Sequence, residues 1–134
     1  MVLNLFKFLG APDSSRQIAI GRVKPVTKDN IKRDWQNIDL LLKGKQPSQL
    51  RQALITADKC LDNALRDVVP GEKMGERLKN VRPEFEYSVY DKLWKAHKVR
   101  NSIVHEAGFE PPYHMVQKSV DDLKKGLAVL GVKV

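Results

Sequence analysis

Pro47–Val69 reads PSQLRQALITADKCLDNALRDVV, and its reading decides the fold. Pro47 and Ser48 open a helix, because proline lacks the N–H that a first helical turn leaves unpaired anyway. Leu50, Leu54, Ala57, Leu61, Ala64 and Val68 then recur at spacings of four, three, four, three and four. That is one packing seam on a helix, close to a coiled-coil pattern. Arg51, Asp58, Asp62, Arg66 and Asp67 are read as its outer face. Pro70–Gly71 breaks the run. A helix with one long apolar seam needs partners along its whole length.

Those partners lie on both sides. Upstream, Ile31, Trp35, Ile38 and Leu42 form a seam over about 28–42, with Thr27 as the expected N-cap, Asp29 in the first turn and Gly44 as the stop. Downstream, a short basic helix is expected over 72–81, with Met74, Leu78 and Val81 as its apolar face and Pro83 closing it. A fourth helix runs from about Glu86 to Ala107 and stops at Gly108. A fifth follows Pro111–Pro112, with Val116, Val120, Leu123, Leu127 and Leu130 as its seam. Strand signals are almost absent. The expectation is an all-α fold: an up-down bundle of four to five helices over 27–134, preceded by an irregular arm over 1–26. In that arm Gly10, Pro12, Asp13, Ser14 and Ser15 mark a loop, and Ile18, Ile20 and Val23 suggest a short extended piece ending at Pro25.

A chain of 134 residues has the size of one domain and buries enough surface for a core without staples. Cys60 is the single cysteine, so an intrachain disulfide is excluded, which fits a reducing, cytoplasmic compartment. No apolar run reaches the roughly 20 residues of a membrane span. Met1–Leu9 is apolar but broken by Asn4 and Lys7, and reads as a docked terminal segment or the remnant of a longer arm, with a membrane-facing role as a lesser alternative, rather than as a signal peptide. The net charge of +8 favours an anionic partner, nucleic acid first, although solubility alone also explains charges spread this evenly.

Trp94–Glu106, WKAHKVRNSIVHE, carries the chemistry. Leu93, Trp94, Ala96, Val99, Ile103, Val104 and Ala107 give it the apolar density of a buried helix, and such helices seldom hold Arg, Asn and two His without partners or a task. His97, Asn101 and His105 stand at successive i,i+4 positions, and Arg100 flanks that stripe. Arg100 and His105 are five residues apart, about 140° around a helix. Metal ligation is not expected, since His-Glu-x-x-His is absent and Cys60 has no neighbour at ligand spacing. No cofactor is expected: there is no P-loop, no dinucleotide glycine pattern and no Gly-x-Ser-x-Gly elbow.

Arg100-Asn101-Ser102-Ile103-Val104-His105 resembles the Arg-x(4–6)-His signature of the HEPN superfamily in its Arg-Asn-x-x-x-His form. The resemblance covers about residues 28–131. It implies a small helical bundle with the signature on a late helix, followed by one more. It further implies a metal-independent endoribonuclease acting as a homodimer, the two signature helices facing each other across one cleft. Family members often serve as toxins, which would bring an antitoxin protein as partner, or act in RNA-directed defence. Others have lost cleavage and serve as RNA-binding or protein-binding modules.

The residue types suit that chemistry. RNA supplies its own nucleophile, the 2′-hydroxyl. Imidazole titrates near neutral pH, so His105 is the expected acid or base. The Arg100 guanidinium is expected to hold the phosphate and its growing charge. Asn101 is expected to position His105 or bond the phosphate, with His97 and Lys98 flanking as substrate contacts. The family often adds a carboxylate from an earlier helix near the Arg; Asp58 and Asp62 are both candidates. Each residue also has a plainer reading. Arg100 is then a core-edge cation paired with Glu106 or with a carboxylate of the second helix. His105 is a helix-end imidazole, Asn101 a buried amide fixing register, His97 a structural ring and Lys98 a solvated charge. On those readings the chain is an interaction domain tethered by its apolar arm.

Overall fold

Proline begins each of the two longest helices in the computed structural model, which describes residues 18–134. Helix α1 spans Pro25–Gly44 and α2 spans Pro47–Val68. They are followed by α3 at Met74–Asn80, a single 3-10 turn at Arg82–Glu84, α4 at Tyr87–His105 and α5 at Tyr113–Val129. Among the described residues there is no strand, so the all-α architecture expected from the seams is what forms. The expected segment at Met1–Leu9 and the loop at Gly10–Ser15 lie outside the described residues.

α2 is the centre. Leu50, Leu54, Ala57, Leu61, Ala64 and Val68 are all buried, and Ala53, Cys60 and Leu65 widen the seam into a face. α1 packs along one side of it and α5 along another, while α4 lies chiefly on α5. One continuous cluster results, in which Ile31 and Ile38 of α1, Leu93 and Ile103 of α4, and Val116, Leu123 and Leu127 of α5 meet α2. At roughly 25 cal/mol per Å² of apolar surface removed from water, each such aliphatic side chain contributes about 1.5–3 kcal/mol, before the entropy of ordering the chain is subtracted.

The helix ends differ from the sequence reading by a few residues, each for a local reason. α1 starts before Thr27. Pro25 fits the first helical position, and the extended Lys24 before it gives its backbone N–H to Asp67 Oδ2 at 3.0 Å. The same strap places Val23 in the core and bonds the Gly21 N–H to the Val68 carbonyl at 2.8 Å. Gly44 is still helical, and Lys45 takes the left-handed turn with φ 58°. Gly44 is needed there for closeness: a Cβ would overlap the Gln49 side chain, whose Oε1 accepts the Gln46 N–H at 3.2 Å in the capping box that starts α2. α3 begins at Met74 rather than Glu72, because the Glu76 carboxylate turns back to accept the Glu72 N–H at 2.9 Å. α4 ends at His105, and Gly108 turns with φ 79°. Ala107 therefore lies beyond the helix and is exposed, and Val104, counted with the apolar face, is 46% exposed.

Candidate functional site

Asp58 has been read on the outer face of α2; it is buried instead, at 2% exposure. It shares a line with Leu54, Leu61 and Leu65, which places a carboxylate inside the interface with α4. A buried charge needs compensation. His97 Nδ1 lies 3.1 Å from both Asp58 oxygens, and Arg100 Nε lies 3.6 Å from Oδ2. A carboxylate has no proton to give, so Nδ1 is the donor and Nε2 is left for other work. Arg100 also donates from Nη1 to Asn101 Oδ1 at 3.1 Å. Its Nε is buried, and among the described residues no acceptor comes within hydrogen-bond distance of it. The side chain as a whole is 32% exposed.

Asp62, the other carboxylate weighed as a support for Arg100, is committed elsewhere. Arg77 holds it as a fork, Nε to Oδ1 at 2.7 Å and Nη2 to Oδ2 at 2.9 Å, and gives Nη1 to the Gly71 carbonyl at 2.6 Å. That clamp ties α3 to α2 and explains Gly71, where φ is 144° and a Cβ would meet Arg77 Cγ at 2.8 Å. Glu106, the third candidate partner, stands past the end of α4, extended and exposed. Of the three, Asp58 is the one beside Arg100.

Above this pair runs a groove of about 520 Å³ between α3 and α4. Trp94, His97, Arg100 and Asn101 form its α4 wall, and Lys73, Gly75, Glu76 and Lys79 its α3 wall. Of the residues singled out in the sequence, His97, Arg100 and Asn101 are thus brought together. His105 and Lys98 do not line the groove; both are exposed on α4, His105 as its last helical residue. The 140° between Arg100 and His105 is kept, so one subunit does not place the two on a single small group.

The sequence reading missed Asp58 as the anchor of His97, and α3 as the opposite wall. A signal for the first was available: Leu54–Asp58–Leu61–Leu65 is itself a four-three-four line, and a carboxylate on an apolar line asks for a partner. No comparable signal marks the second, since the α3 wall is set by how the Arg77–Asp62 clamp docks a seven-residue helix.

A scan against protein-family models, a search among curated proteins and a search among solved structures each found no match to this chain.

Proposed function

We propose that the chain is a metal-independent endoribonuclease of the HEPN type, working as a homodimer. Arg100 binds the scissile phosphate, Asn101 steadies that guanidinium, and His105 moves the proton. The observation that carries this reading is the state of Arg100: a buried carboxylate, Asp58, lies 3.6 Å from its Nε, Asn101 accepts from its Nη1, and the partly exposed side chain lines a groove. A guanidinium held in that way is preorganised for two phosphate oxygens. In the reaction the 2′-oxygen attacks phosphorus as its proton passes to an imidazole. The P–O5′ bond breaks, O5′ takes up a proton, and a 2′,3′-cyclic phosphate is left.

His105 stands outside the groove of its own subunit, so the reading requires a second copy to supply it. The α4 face that carries Asn101 also carries Val104, an exposed valine between two polar signature residues. That is the face on which a second α4 would pack.

The test is incubation of the purified chain with RNA in EDTA, beside Arg100→Ala and His105→Ala. Cleavage that persists in EDTA, yields cyclic phosphate ends and is lost in both variants is the expected result. Cleavage that needs a metal, or survives both changes, overturns the reading. A second reading has an observation of its own. The groove gathers Arg100, Asn101 and His97 but leaves His105 aside, which suits a module that binds RNA without cutting it. Its expected result is salt-sensitive RNA retention with no product.

A further inference from the structure

The groove holds more than the signature needs, and its remaining residues have a chemistry of their own. We infer that it is a subsite for one nucleotide of single-stranded RNA, with the base against Trp94 and the phosphate among Lys73, Lys79 and Arg100. This rests on the RNA-directed reading above and specifies the form of strand the site accepts.

Two tryptophans are present, and they differ in burial. Trp35 is 3% exposed within the core, whereas Trp94 is half-buried and forms part of the groove wall. Tyr90 and His97 meet the Trp94 ring nearly edge-on, at centroid distances of 6.4 and 6.2 Å and interplanar angles of 82° and 71°. Neither stacks parallel on the indole, and together they fix its tilt. His97 is itself pinned by Asp58. Across the groove stands Gly75. A Cβ there would come to 3.6 Å of the Trp94 Cη2 edge, an ordinary contact, and meet nothing else within 4 Å, so a longer side chain at this position would extend along the groove beside the indole.

Charge completes the site. Lys73, Lys79 and Arg100 line the groove, against one carboxylate, Glu76, which is turned back onto the Glu72 N–H. A half-buried aromatic ring with cations around it is the arrangement by which proteins hold single strands: the ring takes a base and the cations take the backbone. Duplex RNA does not fit this recognition, because its bases are already stacked on each other. The volume of about 520 Å³ falls in the range of small-ligand sites, roughly 300–1,000 Å³.

The experiment uses the full chain and an oligoadenylate carrying 2′-O-methyl groups, which cannot be cleaved. In a Trp35→Phe background Trp94 is the sole indole. Its emission should be quenched saturably by the oligonucleotide, less so as salt is raised, and not by inorganic phosphate at equal concentration. In the otherwise unaltered chain, Trp94→Ala and Gly75→Leu should each weaken binding of the labelled oligonucleotide about tenfold or more, the scale of one stacked base. Gly75→Leu should not lower the unfolding midpoint, since the added side chain enters the groove and not the core and leucine favours a helix over glycine. Equal quenching by inorganic phosphate, equal affinity for a duplex, or unchanged binding in Gly75→Leu overturns the subsite. Cleavage without any quench removes the subsite and leaves the nuclease reading standing; quench without cleavage does the reverse.

Discussion

At Asp58 one buried carboxylate faces an imidazole and a guanidinium, and its removal leaves both without their anchor. Breaking a buried ion pair from one side commonly costs about 3–5 kcal/mol. Arg100 retains access to water here, so Asp58→Ala should cost about 2–3 kcal/mol in urea unfolding, and the double change Asp58→Ala/His97→Ala should cost less than the two singles added. Additive costs would mean that the pair is not coupled. The line that buries Asp58 stands in the sequence, but the first seam through α2 already accounts for the helix and hides it. Two positions away stands Cys60, whose thiol is pushed up from 9.0 to about 12, by burial first and then by the Asp34 carboxylate. The unfolded chain thus loses this proton at lower pH than the folded one. The stabilisation is complete below pH 9.0 and drains away as pH rises toward 12. Between those values the stability of the wild type should fall more steeply than that of Cys60→Ala, by up to about 1.4 kcal/mol per pH unit. Parallel curves for the two proteins would count against a buried, protonated thiol. In the native state the same thiol should react with a disulfide reagent far more slowly than in guanidinium.

Among the elements, α4 ends at His105, the last residue of the Arg100–His105 stretch. Its last carbonyls have no partners within the helix. Arg51 of α2 donates to the Ile103 carbonyl and to that of Phe109 in the following loop, both at 3.2 Å. A cation at a helix C-terminus is also favoured by the macrodipole. Arg51→Ala should cost about 1.5–3 kcal/mol, the range for hydrogen bonds to a charged group, and amide exchange should rise first over residues 103–109. Uniform exchange across the bundle would show that Arg51 is not a local clasp. The other support of α4 is its contact with α5 at Gly126, where a Cβ would press into Leu93 at 2.6 Å. Alanine would gain about 1 kcal/mol in helix propensity, but a larger side chain also separates the helices at a typical cost of 1–3 kcal/mol. Overpacking wins for Gly126→Val, which should lower the unfolding midpoint. Neither support was visible in the sequence. The seams at 31–42, 50–68 and 116–130 were plain because period alone reveals them. Arg51 and Gly126 matter through residues more than thirty positions away, and periodicity is blind to such pairs.

For the molecule as a whole, the proposed reaction turns on a second copy of the chain. Arg100 and His105 stand 140° apart on one helix, and Arg100 lines the groove while His105 does not. If the reaction is completed across two subunits, each active arrangement joins the Arg100 of one chain to the His105 of the other. Arg100→Ala and His105→Ala are then each inactive alone, yet complementary. In an equimolar mixture half the dimers pair one variant with the other. Each of these holds one intact Arg–His combination and one doubly defective one, so about a quarter of wild-type cleavage should return under twofold symmetry. A pair acting within one chain recovers nothing on mixing, so an inactive mixture refutes the shared arrangement. The exposed Val104 supplies the control. Val104→Glu sits on the surface, so stability should move by no more than about 0.5 kcal/mol. If the proposed α4–α4 dimer forms, two like charges placed against each other at that contact should nevertheless leave the variant monomeric in sedimentation, and cleavage should be lost with it. A Val104→Glu chain that stays dimeric and cuts RNA at the wild-type rate would place the second copy on another face, and the signature histidine would then need a different partner.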